Sequence, residues 1–192
     1  MARSNADEYA QAGWARTKLS CSLLDWVGLR SLAESTFVVG AALVHCGIRP
    51  GYTLDIDLQI GIDPYDLIEE IEHLKQELDV NVEIVSPGDF MPLPDGWEAR
   101  LQFVKRYGKL DVFYFDWYSI ALSKILRGSQ RDSLDVQLMQ RQGCIALEEL
   151  DYLFQNVLDK LASPAYRRRY PNLSRERLQQ RYEAFRLLLQ SS

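Results

Sequence analysis

The chain has 192 residues, 47% of them apolar and 26% charged, and carries a formal net charge of −5. That length and apolar share suit one sizeable domain with a satellite, or two small ones, while the acidic balance argues against a general nucleic-acid coat. Three widely spaced cysteines, Cys21, Cys46 and Cys144, fit a reducing cytoplasm rather than a disulfide framework, and no apolar run reaches the ~20 residues of a membrane helix or forms a signal-peptide core.

Residues 5–33 carry Tyr9, Trp14, Leu19, Leu23, Leu24, Trp26 and Leu29 at helical spacing. Thr36-Phe37-Val38-Val39 is a short continuous apolar run, which predicts a central strand. Gly40 ends it, and Ala41-Ala42-Leu43-Val44-His45 begins a short helix. After a turn with Gly47, Pro50 and Gly51, the segment from Tyr52 to Ile60 alternates. Leu54, Ile56, Leu58 and Ile60 point one way, and Asp55, Asp57 and Gln59 point the other. Asp63-Pro64 is a helix start, with Asp as N-cap and Pro at the first helical position. Leu67, Ile71, Leu74 and Leu78 then predict an amphipathic helix over 64–78. Val80, Val82 and Ile84 alternate with Asn81 and Glu83 as a second half-buried strand.

Residues 86–97 hold three prolines and two glycines and read as a loop. Leu101–Val104 and Leu110–Phe115 read as a hairpin around Tyr107-Gly108. From Trp117 the period turns helical. One helix spans Tyr118–Leu126 and stops at Gly128, and another spans Asp132–Gln140 and stops at Gly143. Leu147, Leu150, Phe154, Val157, Leu158 and Leu161 mark a third, stopped at Pro164. Ser174 caps the last, whose apolar side is Leu178, Tyr182, Phe185 and Leu189. The chain therefore divides at residue 116/117. A mixed sheet region with N-terminal helices occupies 1–116, and a helical region occupies 117–192. From Ser163 onward seven arginines face Glu176 and Glu183, so this tail is +5 and the remainder −10.

Two carboxylates side by side on one strand face repel unless a cation lies between them, and Mg²⁺ prefers such oxygen ligands. Asp55 and Asp57 are thus candidate metal ligands. The candidate third carboxylate is Glu83, on the polar face of the next strand after the helix, with Asp111 on the hairpin as runner-up. His45 and Cys46 are adjacent, but no second His/Cys cluster accompanies them, which argues against zinc.

The order of these features resembles a known family. Val38-Val39-Gly40-Ala41-Ala42, Gly47-Ile48-Arg49 and Thr53-Leu54-Asp55-Ile56-Asp57 are similar to the abortive-infection (AbiEii/AbiGii toxin) type of nucleotidyltransferase-like proteins in the polymerase-beta superfamily. The Ser86–Pro94 loop with Gly96-Trp97, the run Phe115–Lys124 and Arg131-Asp132-Ser133-Leu134-Asp135-Val136 extend the likeness over about residues 35–140.

The resemblance implies a nucleotidyltransferase-type α/β (α+β) fold, a small mixed sheet flanked by helices with a helical C-terminal region. It implies metal-dependent transfer of a nucleotidyl group from an NTP, with Mg²⁺ or Mn²⁺, to an RNA (tRNA) or protein hydroxyl. A toxin-like or phage-defence role in the cytoplasm, with a cognate antitoxin, goes with it. Position by position, Asp55 and Asp57 take the metals. Gly40 and Ala41 lie against the phosphates, Lys124 contacts them, and Asp135 stands beside that lysine. One departure is Ala41, where the family carries Gly or Ser after the first glycine. Its methyl either crowds the phosphates or is tolerated in a helical backbone. Two other readings stand beside the enzyme: an inactive interaction or nucleotide-binding module on the same fold, and an RNA grip formed by the basic tail.

Overall fold

The computed structural model of the chain describes residues 36–38, 41–51, 53, 55–60, 71–73, 75–77, 79–107 and 110–190. The helix expected over 5–33, the helix start at Asp63-Pro64, and Gly40 lie outside the described residues. The elements run β1 (Thr36–Val38), α1 (Ala42–His45), β2 (Asp55–Ile60), β3 (Asn81–Ile84), β4 (Gln102–Tyr107) and β5 (Leu110–Tyr114). Then follow α2 (Trp117–Arg127), α3 (Gln130–Arg141), α4 (Leu147–Ala162), α5 (Pro164–Arg169) and α6 (Arg175–Gln190). The expected class holds: a small mixed sheet with helices, and a helical C-terminal region. Described residues up to Val85 join Gln102–Tyr114 in one compact unit, and Ser86–Leu101 joins those from Phe115 on in a second. Among the described residues no helix is long and apolar enough to cross a membrane.

The sheet unit has strand order β3-β2-β1-β5-β4. β1 runs antiparallel to β2 and parallel to β5, while β2 and β3 are parallel. β4 and β5 form the expected antiparallel hairpin, with an irregularity between Phe103 and Lys105. The alternation in β2 does what its period requires. Ile56 and Leu58 are buried in one cluster with Val82, Val112 and Ile71. Each such side chain contributes about 1.5–3 kcal/mol when fully buried. Residues 71–73 and 75–77 are helical, within the helix expected over 64–78. Ile84 departs from its pattern and is 48% exposed, at the C-terminal end of β3, the sheet's edge strand, where Val82 remains buried.

The helical unit is built on caps. The Asp116 carboxylate accepts from the Tyr118 and Ser119 backbone N–H groups and starts α2. Gly128 ends α2 in the left-handed conformation at φ 66, which a glycine adopts without a Cβ penalty. Ser129 then caps α3 by accepting from the Asp132 N–H. Pro164 both follows the end of α4 and opens α5, with Ser163 as the hinge residue. The Ser174 hydroxyl accepts from the Arg177 N–H at the start of α6, as expected. Leu150, Leu153, Phe154, Val157, Leu158 and Leu161 are the buried side of α4. Tyr182 of α6 stacks on Phe154 at 3.8 Å between ring centres and donates to Asp151 at 2.6 Å. Burial and the Asp151 carboxylate push the Tyr182 phenol well above its ordinary range.

The proline-rich segment is a loop, as read, but a tethered one. Met91 is fully buried. Tyr170 donates to the Gly88 carbonyl at 2.6 Å, and Lys160 to the Leu93 carbonyl at 2.6 Å. Asn156 donates to the Asp95 carboxylate at 2.6 Å, and Trp97 stacks on Phe115 with ring centres 5.1 Å apart. Prolines supply the fixed backbone angles, and these contacts supply the anchor.

Candidate functional site

The strand-borne acids come first. Because β2 is pleated, Asp55 and Asp57 share the face opposite Ile56 and Leu58. Asp55 is exposed and Asp57 half-buried. The parallel register sets Asp55 opposite Asn81 and Asp57 opposite Glu83, so Glu83 stands on the same face one strand away. Adjacent strands are about 4.8 Å apart, which brings the acids to one patch. The Asn81 amide donates to Asp55 at 3.3 Å and to Glu83 at 3.1 Å, so a neutral group ties these two acids together. Among the described residues no group of three or more His, Cys, Asp or Glu side chains is placed to hold a metal ion.

Asp111 occupies a different place. β5 lies beyond β1 from β2, and Val38 is level with both Leu58 and Tyr114. Asp111 is therefore displaced from Asp57 by roughly 13 Å along the strands, besides the two strand spacings across. It accepts two hydrogen bonds from Arg106, at 2.5 and 2.6 Å. That guanidinium holds the Asp111 carboxyl below its ordinary value.

Ala41 has φ −66 and ψ −22, an ordinary helical conformation, and N-caps α1. Its methyl packs against the cluster around Ile56 and Leu58. A residue other than glycine therefore fits this backbone without strain. Near it, His45 Nδ1 is hydrogen-bonded to the Tyr114 hydroxyl.

The remaining expected residues lie in the helical unit. Lys124 and Asp135 are brought together: Nζ donates to Asp135 Oδ2 at 2.7 Å. Both are buried. Nζ also donates to Asp132 Oδ1 at 3.2 Å, and Arg127 reaches the same aspartate at 2.8 Å. The Ser129 hydroxyl donates to Asp132 Oδ2 at 2.7 Å. Burial pushes the Asp132 carboxyl up, but bonds from Arg127 and Ser129 and the charges of Arg127 and Lys124 outweigh it, bringing it to about 2. The ammonium of Lys124 is thus neutralised by two carboxylates. Asp132 had no role among the expected site residues, although it stands three positions before Asp135 and so shares its helix face.

A second buried ion pair carries no signal in spacing. Asp116 accepts from Arg100 at 2.9 and 3.0 Å, and from the Ser119 hydroxyl at 2.6 Å. Its side chain is wholly buried.

A small mixed sheet with an Asp-x-Asp strand, joined to helices that bury a lysine between aspartates, belongs to the nucleotidyltransferase-like class. A family model matches residues 28–186, and the chain belongs to that family, DUF6036, described as a nucleotidyltransferase of unknown function. Neither the curated proteins nor the solved structures gave a match.

Proposed function

We propose that the chain transfers a nucleotidyl group from an NTP to an acceptor hydroxyl, with the open face of β2 as its centre. The observation that carries this reading is the shared face of Asp55, Asp57 and Glu83, in a chain of a nucleotidyltransferase family. The donor chemistry fits Mg²⁺, or Mn²⁺ in its place. Mg²⁺ is commonly held by one or two carboxylates and completes its shell with waters and substrate phosphates, so a closed cage of three acids is not required. Asp55 and Asp57 would hold the ion, with Glu83 beside Asp57. When bound, it would supply positive charge to the phosphates during transfer.

The chain's own residues do the positioning. The Asn81 amide keeps Asp55 and Glu83 oriented on the open face. Ala41, with its methyl turned into the core, leaves its own backbone in helical geometry at the start of α1. Within the helical unit, the phosphate contact that the resemblance implies for Lys124 would require its ammonium to exchange one carboxylate for a phosphate oxygen. Asp132 is the one to give up, because its bond to Nζ is the longer and it keeps Arg127 and Ser129. Asp135 stays and orients the ammonium. The acceptor is an RNA or protein hydroxyl, and the setting is the toxin-like or defence role, with an antitoxin, of the family resembled.

Purified protein with Mg²⁺ and each labelled NTP tests the reading. The wild type should label an acceptor, and Asp55→Ala and Asp57→Ala should not. Equal labelling by wild type and Asp55→Ala would sink it. The second reading, a nucleotide-binding module without transfer, draws on the burial of Lys124 between two aspartates. It predicts a thermal shift with NTP and Mg²⁺ but no labelled acceptor.

A further inference from the structure

The Ser86–Leu101 loop and the basic tail enclose a cleft of about 390 Å³, wholly within the helical unit. Arg127, Arg169 and Arg177 line it, with Asn172, Tyr170 and Phe90. Asp89 is its one acidic lining residue, and that carboxylate already accepts from the Ser86 N–H and hydroxyl. Arg127 is tied to Asp132. Among the described residues no acidic side chain pairs with Arg169 or Arg177. The guanidinium of Arg169 lies over the Tyr170 ring, 5.5 Å from its centre, so it is oriented by an aromatic face rather than an acid. The Tyr170 hydroxyl is fixed to Gly88, which holds the two walls in place. Phe90 is 46% exposed at the cleft.

We infer that this cleft is a binding site for the phosphate of a nucleotide, free or at the end of an RNA strand. Guanidinium groups bind phosphate oxygens through forked, charge-assisted hydrogen bonds, and here two of them lack acid partners. An exposed aromatic ring beside such a fork offers a stacking surface for a base. The volume falls in the range of small-ligand pockets and suits one nucleotide unit. The charge of the chain agrees: the segment from Ser163 onward is +5 while the rest is −10, so the positive potential is concentrated here. The inference does not depend on nucleotidyl transfer, because it uses no residue of β2.

Calorimetric titration of the full chain in EDTA at low salt tests it, since EDTA removes any metal-dependent binding at Asp55 and Asp57. The probes are the four nucleoside 5′-monophosphates, the four nucleosides, and a ten-nucleotide RNA with and without a 5′-phosphate. The phosphorylated probes should bind and their unphosphorylated partners should bind at least about tenfold more weakly. The double variant R169E/R177E should weaken binding at least about tenfold, with its melting temperature unchanged. Phe90→Ala, which leaves the charge intact, should also weaken it by about tenfold. Binding by free monophosphates identifies a free nucleotide as sufficient, and binding by the phosphorylated RNA alone identifies a strand end. No binding by any phosphorylated probe, or equal binding by R169E/R177E and wild type, overturns the inference. Either result leaves the test of nucleotidyl transfer untouched.

Discussion

In the sheet unit Asp55 and Glu83 stand exposed and share the neutral amide of Asn81. In the helical unit Asp116, Asp132 and Asp135 are buried, and each meets a cation. The two sets contain the same functional group and serve different ends. A buried carboxylate must be matched or it destabilises the fold, so its cation has a structural role whatever else it does. A carboxylate on an open strand face pays no such penalty. It can hold its charge for a ligand that comes and goes.

The largest effect should come from unmatching the buried set. Lys124→Met removes the buried cation shared by Asp132 and Asp135, and should cost about 3–5 kcal/mol in urea unfolding. A loss under about 1 kcal/mol would mean the cluster is wetter than its burial indicates. The same test on the open face should separate activity from stability. Asp55→Ala should reduce nucleotidyl transfer by at least about a hundredfold, or about 2.7 kcal/mol, while shifting unfolding free energy by no more than about 0.5 kcal/mol.

Acid should distinguish the two sets next. Asp132 has its pKa lowered in the folded state to about 2 from an ordinary 3.8. Its stabilisation is therefore present above about pH 4 and is lost as pH falls through about 2. A stability profile should show about 2 kcal/mol of loss across that window, and Asp132→Asn should flatten it. Gly128→Ala probes the helix end beside the cluster. Gly128 sits at φ 66, and an added Cβ would run into the Arg181 guanidinium. The strain of a left-handed alanine should cost about 1–2 kcal/mol by thermal melting, even if Arg181 swings away. The smallest effect belongs to the exposed Arg106–Asp111 pair. Asp111→Asn should lower the melting temperature only slightly, lose that effect in high salt and leave transfer unchanged.

Local signals were readable wherever a residue's own backbone or period settles the matter. The two-residue alternation places Ile56 and Leu58 inside and Asp55 outside, and Gly128 and Gly143 stop helices at positive φ. What depends on distant partners was not readable. Nothing in residues 36–114 shows that β1 sits between β2 and β5, since that order requires crossovers between strands far apart in the chain. Glu83 ranked above Asp111 only for its place on the polar face of the next strand, whereas the register gives the distance between the two acids and Asp57. Arg100 finds Asp116 sixteen residues away, with the whole β4–β5 hairpin between them in the chain, and no local period reports that meeting. Of the candidate site, the face of Asp55 and Asp57 follows from period alone. The meeting of Lys124 with Asp135 follows from the resemblance, whereas Asp132 entered the site only through its contact with Lys124. The cleft arginines appeared in sequence only as a basic run.

The path of the chain between its two units has a consequence for how the protein can be divided. It leaves the sheet unit at Val85, returns at Gln102 and leaves again after Tyr114. Neither half is a cassette that one recombination breakpoint could deliver. A gene fragment starting at Phe115 would encode helices without the strap that brings Arg100 to Asp116 and Gly88 to Tyr170. Selection must therefore act on the two units together, and a proteolytic nick inside the strap should loosen the helices rather than release a domain.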